Sequence, residues 1–241
     1  MSALKTKITW LGHGTFLFDL PNGKRLLVDP WLAGNPACPP AFHDLSVDAI
    51  LVTHGHFDHV GDLTETIQRS TGPVVGIFEL ISWAQKRSGA DESRFIGMNK
   101  GGSIRLDALG VTVTLTHAIH SSSFDEEDGT RVYLGDPCGF VIDVDGAETI
   151  YHAGDTDIFS DMQLIREFHA PDVAILPIGD HFTMSPKKAA MAARFVGAKY
   201  IIPGHFATFG LLTGTPDALR QSLKDYGVNA EVLTPAPGEV A

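Results

Sequence analysis

Short runs of apolar, often β-branched residues recur along the chain, and most are closed by a glycine, a proline or a polar residue. Runs of this length and composition are typical of buried β-strands. The pattern predicts strands over residues 7–11, 15–19, 25–28, 49–52, 74–77, 111–116, 139–144, 149–151, 173–177 and 200–202. Asn22-Gly23 lies between the second and third of these and predicts a tight hairpin turn there.

Helix signals lie mainly between the later strands. Asp62 followed by Glu65 resembles a capping box and predicts a helix that runs to about residue 70. Ser160 is the predicted N-cap of a helix that ends at Pro171. Two more helices begin at an N-cap residue followed by proline and end at a glycine: Ser185-Pro186 with Gly197, and Thr215-Pro216 with Gly227. Without a linker or a low-complexity tract, residues 1–241 are predicted to form one mixed α/β domain.

Composition narrows the class of protein. Hydrophobic residues make up 44% and charged residues 20% of the 241 positions, which is ordinary for a globular protein and not for a disordered or fibrous chain. A net charge of −11 repels phosphate groups, so neither a nucleic acid nor an anionic membrane is an expected partner. The two cysteines, Cys38 and Cys138, form no disulfide framework and no thiolate zinc site. The N-terminus has no apolar leader, and no run is long enough for a membrane helix, so we expect a cytoplasmic protein.

Side chains that can bind metal ions follow many of the predicted strands, at the point where each strand ends. Strands of one sheet that end in such loops can bring these groups together on one rim, where functional sites are commonly built. The groups are His13, His54, His56, Asp58, His59, His117, His120, His152, Asp155, Asp180, His181 and His205.

The densest cluster is H-x-H-x-D-H at residues 54–59. In an extended segment the side chains at i and i+2 project to the same side, so His54 and His56 can bind one ion. Asp58 and His59 follow on a turn into a helix and can face a second ion. Nitrogen and carboxylate ligands without sulfur suit Zn²⁺, Fe, Mn²⁺ or Ni²⁺, and the spacing does not choose among these metals.

The segment around this cluster, residues 53–59, resembles the signature of the metallo-β-lactamase superfamily. Other segments resemble one branch of it, the lactonase-like metal-dependent hydrolases, which are similar to ascorbate-6-phosphate lactonases and to a phospholipase D-type phosphodiesterase. These segments cover residues 11–13, 27–30, 120–122, 151–156, 176–179 and 202–205. They span essentially the whole chain, but they do not fix the substrate.

This resemblance implies a four-layer αββα sandwich with a dinuclear metal site at one edge. The implied ligands are His54, His56 and His120 for the first ion, Asp58, His59 and His205 for the second, and Asp155 as the bridge between them. Asp29 matches the early aspartate that supports the metal-binding loop from outside the ligand set. Zinc is the ion we expect first, with manganese, iron or nickel as alternatives.

Three assignments are less direct. His117 and His120 follow the same strand, and His120 is preferred because Ser121-Ser122 after it match the family. His13 is a candidate catalytic group near the substrate, although a buried supporting histidine fits its position equally well. Asp180 and His181 are candidate substrate-binding residues, or else they form a polar turn.

The predicted reaction is hydrolysis of a small ester, lactone or phosphodiester by a metal-bound hydroxide, because two ions lower the pKa of a bridging water to ~7. Asp58 is the predicted catalytic carboxylate that orients the nucleophile and transfers its proton. The alternatives are an iron-dependent oxidoreductase on the same scaffold and a non-catalytic metal-binding protein. The acidic stretch over residues 121–139 is predicted to be a lid, a contact in a homo-oligomer or a solvated loop.

Overall fold

Two mixed β-sheets form the centre of the protein, whose computed structural model describes residues 4–241. The six strands of the first sheet follow chain order, namely β1 (Lys7–Trp10), β2 (Phe16–Asp19), β3 (Arg25–Val28), β4 (Ala49–Val52), β5 (Val74–Ile77) and β6 (Phe95–Met98). The strands of the second sheet are β7 (Ser103–Leu106), β8 (Val111–His117), β11 (Cys138–Val144), β12 (Thr149–His152), β13 (Val173–Pro177), β14 (Tyr200–Gly204) and β15 (Glu231–Val232). A separate hairpin is formed by β9 (Ser123–Asp125) and β10 (Arg131–Tyr133).

Each sheet changes from antiparallel to parallel pairing. In the first sheet β1, β2 and β3 form an antiparallel meander, and β3 to β6 run parallel. The second sheet has the order β15-β14-β13-β12-β11-β8-β7, with β12 to β15 parallel. Because the carboxyl ends of parallel strands meet at one edge, the loops after β4, β12 and β14 can converge there.

Within the described part of the chain, six α-helices connect these strands: α1 (Phe57–Val60), α2 (Leu63–Arg69), α3 (Phe78–Ser88), α4 (Met162–His169), α5 (Pro186–Val196) and α6 (Pro216–Asp225). Helix α3 packs against β5 and β6 of the first sheet, and α2 packs against α3. The second sheet is covered by α4, α5 and α6, whose apolar faces join its outer side chains in one cluster. None of the helices between residues 4 and 241 has the length and apolar character that a membrane crossing requires.

Alternation along the strands of the second sheet divides its side chains between two apolar layers. Phe140 and Ile142 point into the core shared with the first sheet, whereas Val141 between them packs with the helices. Ile150 and Tyr151 on β12 divide in the same way. The predicted four-layer αββα sandwich is therefore confirmed. The prediction that residues 1–241 make up one domain stays a prediction.

Every predicted strand is present, and its ends agree with the prediction to within one or two residues. Two of the predicted helix caps differ in detail. Asp62 precedes α2 as predicted, yet its side chain makes no capping bond and instead accepts hydrogen bonds from the amides of Leu32 and Gly34. The N-cap of α4 is Asp161 rather than Ser160, whose hydroxyl donates to Asp161. The caps of α5 and α6 are confirmed, because Ser185 and Thr215 accept the expected backbone bonds.

Candidate metal centre

The metal-capable side chains come together at the edge of the sandwich where the strands named above end. His54 and His56 follow β4, and α1 carries Asp58 and His59. The other members come from the loops after the remaining strands, namely His13 after β1, His120 after β8, Asp155 after β12 and His205 after β14. The site is thus assembled from both sheets.

One group consists of His54, His56 and His120, whose ligand nitrogens lie within 4.8 Å of one another. The Nε2 atom of His54 lies 3.0 Å from Nδ1 of His56. The ring centroids of His54 and His120 are 5.0 Å apart, and those of His56 and His120 are also 5.0 Å apart. This is a compact three-nitrogen group of the kind that holds a zinc-like ion.

A second group consists of His13, Asp58, His59 and His205, with ligand atoms again within 4.8 Å of one another. His13 Nε2 lies 2.9 Å from Asp58 Oδ2. The rings of His13 and His205 are 4.0 Å apart, and those of His59 and His205 are stacked at 5.8 Å. The group therefore offers three imidazoles and one carboxylate to a second ion.

Asp155 lies between the two groups. Its Oδ2 atom is 3.6 Å from Nε2 of His120 in the first group. The same oxygen is 2.9 Å from Nε2 of His205 and 3.4 Å from Nε2 of His59 in the second group. A carboxylate within reach of both sets can bridge two ions.

Asp29 and Thr53 orient the ligands from behind. Asp29 is fully buried and accepts hydrogen bonds from the amide and hydroxyl of Thr53, at 2.7 and 2.6 Å. It also lies 2.8 Å from Nδ1 of His59, which leaves the Nε2 atom of His59 facing Asp155. Asp29 also forms a third group with His54 and His59, whose ligand atoms lie within 4.8 Å of one another. Because its oxygens are already used by Thr53 and His59, its role as a support from outside the ligand set stays the prediction. The hydroxyl oxygen of Thr53 also lies 2.9 Å from Nδ1 of His54, so Thr53 orients that ring.

One further observation, an unsatisfied buried nitrogen, supports metal binding by these residues. The Nε2 atom of His59 is buried and makes no hydrogen bond within residues 4–241, a costly state for a polar atom. It faces Asp155 and the second group, where an ion would satisfy it. The donor set is nitrogen and carboxylate oxygen without sulfur, which matches Zn²⁺ and other first-row divalent ions.

Burial and neighbouring charges set the protonation states of the candidate ligands. Burial lowers the pKa of His54 well below its usual value and that of His120 to about 4, so both rings are neutral at pH 7. Burial acts in the same direction on His59, but the charges of Asp155 and Asp29 outweigh it and raise the pKa of His59 well above its usual value. A metal ion that binds His59 therefore displaces a proton.

Backbone conformation at the site is unusual. His13, Asp29 and His205 have φ values of 52°, 53° and 52°, in the left-handed region that side-chain-bearing residues rarely adopt. Such conformations persist only where the surrounding structure fixes them, and they cluster at functional sites. Gly14 makes room next to them, because a Cβ atom there would lie 2.5 Å from the ring of His59.

The structure separates the less direct assignments. His120 lies in the first group, whereas His117 points away, 3.4 Å from Lys100 and with its ring against Phe159. His13 is fully buried behind Asp58 and does not line the cleft over the metal ligands. Asp180 and His181 are exposed on their turn, and their role in substrate binding stays a prediction.

Several residues of the site escaped the sequence-based prediction. The cleft above the ligands has a volume of about 570 Å³ and is walled by Phe57, Phe182, Phe209 and Leu211. Phe182 follows directly after the predicted Asp180 and His181, and it is the residue of that turn that lines the cleft. Isolated aromatic residues in loops carry no periodic signal, so only the folded arrangement reveals this wall.

The acidic stretch over residues 121–139 contains the β9–β10 hairpin, which is attached to α3. Glu126 accepts a hydrogen bond from Nε1 of Trp83 at 2.8 Å and pairs with Arg87 at 2.5 Å. The guanidinium of Arg87 lies 5.3 Å from the ring centroids of both Trp83 and Phe124. The hairpin therefore forms a packed side wall next to the site. Its role as a lid or as a contact in a homo-oligomer stays a prediction.

We expect the metal-free protein to lose stability as the pH falls from 6.5 towards 4. Burial lowers the pKa of His13, His120 and His152 from 6.5 to about 4. In this window the unfolded chain takes up protons that the folded chain does not, so the free energy of unfolding should be lower at pH 5 than at pH 7 by at least about 2 kcal/mol. His59 has a raised pKa and acts in the opposite direction, because its contribution to stability is complete only below the usual pKa of 6.5, but one such group does not outweigh three.

Urea denaturation with a chelator present, at pH 7, 6 and 5, measures this change. A constant urea dependence across the series is the control for two-state behaviour. An unfolding free energy that stays flat over this range would contradict the prediction.

Comparison with known proteins adds to this geometry. The chain matches the model of the beta-lactamase superfamily domain over residues 24–206. It is 48% identical over 236 residues to a UPF0173 metal-dependent hydrolase from Herpetosiphon aurantiacus, with 97% of this chain and 96% of that protein covered. A metal-dependent hydrolase of the same name from Rubrobacter xylanophilus is 44% identical, with 97% and 95% covered.

Solved structures agree with this result. Igni18, a metallo hydrolase from Ignicoccus hospitalis, has a TM-score of 0.82 and 33% identity, with 98% of this chain and 97% of that chain covered. An isothiocyanate hydrolase from Delia radicum gut bacteria has a TM-score of 0.72 at 22% identity, covering 98% of both chains, and shares the fold.

Proposed function

Because the chain belongs to the metallo-β-lactamase superfamily, as one of its metal-dependent hydrolases, we propose that it uses two divalent ions to hydrolyse a small ester, lactone or phosphodiester. The observation that carries the dinuclear part is the position of Asp155 Oδ2, within 3.6 Å of a ligand nitrogen in each of the two groups. A single tetrahedral site needs only about four ligands, and the two groups with Asp155 offer twice that number.

The proposed ligands follow from the two groups. The first ion would be held by His54, His56 and His120, the second by Asp58, His59 and His205, and Asp155 would join both. His13, which also belongs to the second group, pairs with Asp58 instead. Zinc is the ion we propose first, since the site offers imidazole and carboxylate donors without sulfur. Manganese, iron or nickel would fit the same donors.

Two divalent ions in this site would supply hydroxide at neutral pH, polarise the carbonyl or phosphoryl oxygen and stabilise the leaving oxygen. The chain supplies the positioning. Burial acts to raise the pKa of Asp58, but its hydrogen bond with His13 and the nearby His59 outweigh burial and lower it to about 2. Asp58 is therefore a carboxylate at neutral pH, and it lines the cleft where a substrate would lie.

From this position Asp58 can accept a hydrogen bond from the attacking water, orient it, and pass its proton towards the leaving oxygen. His13 is a positioning residue in this scheme, because it touches Asp58 and does not line the cleft. Ser121 also lines the cleft, with its hydroxyl 3.3 Å from Nε2 of His56, and it is placed to hold that ring in orientation.

The protein is expected to bind two divalent ions per chain. Elemental analysis after metal removal, reconstitution with zinc and desalting measures the ratio, and the same measurement with manganese tests the alternative ion. The matched control is His117→Ala, which removes an imidazole outside both groups and should leave two ions bound. A ratio of one ion or fewer in the reconstituted wild-type protein would count against the dinuclear site.

A further inference from the structure

The cleft above the metal ligands is walled by large apolar side chains that are exposed to solvent. Phe57, Phe182 and Leu211 expose 59%, 51% and 54% of their surface, although side chains of this kind are usually buried. Together with Phe209 they surround an opening of about 570 Å³ whose floor is formed by metal ligands, including His120 and Asp155. This volume is that of a small-molecule site.

Part of this wall packs against a buried tryptophan. The rings of Phe57 and Phe209 both contact the buried Trp31, with centroids 5.8 and 5.9 Å away. Phe57 and Phe209 also face each other at 6.4 Å. An apolar surface that is fixed before the substrate arrives costs less entropy on binding. Exposed apolar surface grouped around a reactive centre indicates a ligand that covers it.

Outside the metal-ligand groups, the described residues that line the cleft offer no positively charged side chain to an anionic substrate. Between residues 4 and 241, neither a lysine nor an arginine lines it. Arg131 lies in an adjoining depression of about 490 Å³ that shares His56, Phe57 and Ser121 with the cleft. Its guanidinium is already paired with both oxygens of Asp125, at 2.6 and 2.9 Å. Sites that recognise phosphate commonly use free arginine or lysine side chains, which this wall lacks.

We propose that the substrate is an uncharged carboxylic ester, thioester or lactone whose acyl part carries an apolar chain or ring, and that phosphodiesters and phosphorylated lactones are poor substrates. This inference rests on the proposed function, because it assigns a substrate class to the same site. Hydrolysis breaks the bond between the acyl carbon and the leaving oxygen or sulfur. The acyl carbon gains the oxygen of water, and the proton goes to the leaving atom. The apolar acyl part lies against Phe182 and Leu211.

The chain-length dependence of hydrolysis tests this class. The probes are 4-nitrophenyl acetate, butyrate and octanoate against bis(4-nitrophenyl) phosphate, with protein shown to carry two zinc ions per chain. We expect kcat/KM to rise with acyl length, by up to about fourfold for each methylene that becomes buried, and the phosphodiester to be the poorest substrate. A phosphodiester preferred over the octanoate, or no gain with chain length, would overturn the substrate class and leave the proposed hydrolase intact.

Phe182→Ala removes part of the wall without touching a metal ligand. It should remove most of the gain with chain length, through KM, so that kcat/KM falls much more for the octanoate than for the acetate ester. The matched control is Phe168→Ala on α4, which truncates a phenylalanine that is 78% exposed and remote from the cleft. Equal behaviour of the two variants on the octanoate would contradict the assignment of the wall.

Binding without turnover provides a second readout, using metal-free protein and titration calorimetry. The probes are 2-undecanone, an uncharged carbonyl compound, and decyl phosphate, an anion of similar length. Tighter binding of the ketone, lost in Phe182→Ala and kept in Phe168→Ala, supports the inference, and tighter binding of the phosphate overturns it. If the zinc-loaded protein hydrolyses none of the four probe substrates, the proposed function fails, and the two binding constants still decide the substrate class.

Discussion

Replacing Asp155 by alanine is expected to abolish hydrolysis while the fold survives. Asp155 Oδ2 lies within 3.6 Å of a nitrogen in each of the two groups, so in the proposed dinuclear site its loss would remove a ligand from each ion and the link between them. Metal stabilisation of developing charge contributes several kcal/mol, so kcat/KM should fall by at least about 10³-fold. Steady-state kinetics on the best ester, with circular dichroism for the fold and elemental analysis for the ions, measures the effect.

The matched control for this experiment is Asp157→Ala, two positions further along the chain. Asp157 is half exposed and pairs with Lys188 at 2.8 Å, outside both ligand groups. This variant should keep its ions and its turnover. The Asp155 variant and chelated wild type should both melt below the metal-loaded enzyme, because bound ions stabilise the folded state by mass action. Near-normal turnover in the Asp155 variant would rule out the bridging role.

The strands and the superfamily could be predicted because both are encoded in local sequence patterns. Val173–Pro177 is a continuous apolar run, since its strand lies inside the sheet with helices on one face and the other sheet opposite. The candidate ligands could be selected from the sequence for a related reason, since they lie within a few residues after such runs. His54 and His56, two residues apart after β4, indicate the candidate site by their spacing.

Elements that depend on tertiary contacts were missed. Helix α3 begins at Phe78, directly after β5, and its N-cap residue Ile77 has no capping side chain. The local sequence therefore carries no signal for the start of this helix. The short strands β9 and β10 exist as a hairpin packed on α3 through Phe124 and Glu126, and their sequence is mostly polar. A capping signal can also mislead, as at Asp62, where nearby amides of another loop compete for the carboxylate.

The apolar wall of the cleft was outside the reach of sequence analysis for a different reason. Phe57 is the first residue of α1, whereas Phe182 and Leu211 come from two separate loops, and none of the three lies in a predicted strand or helix. Asp180 and His181 were candidates because charged residues and histidines can bind a substrate. The neighbouring Phe182 is the residue that lines the cleft. In the proposed substrate class, recognition of the acyl part would depend on residues that have no motif, whereas the candidate metal ligands belong to one.

The pair His117 and His120 allows the sharpest test of the ligand set. Both follow β8, three positions apart, and simple spacing favours neither. His120 lies with His54 and His56, 3.6 Å from Asp155, whereas His117 lies by Lys100 on the outside. His120→Ala should therefore weaken metal binding by more than the ~10–100-fold that loss of an outer hydrogen-bond partner causes, and turnover should fall with it.

His117→Ala should leave metal content and turnover within about twofold of wild type, because exposed substitutions away from a site have small effects. Zinc affinity measured by competition with a chelating dye, beside kcat/KM for both variants, separates the two histidines. The two side chains are identical and leave the same strand, so a difference reports position rather than residue type. The opposite ranking, with His117→Ala emptying the first group and His120→Ala keeping two ions, would show that the ligand after β8 is misassigned.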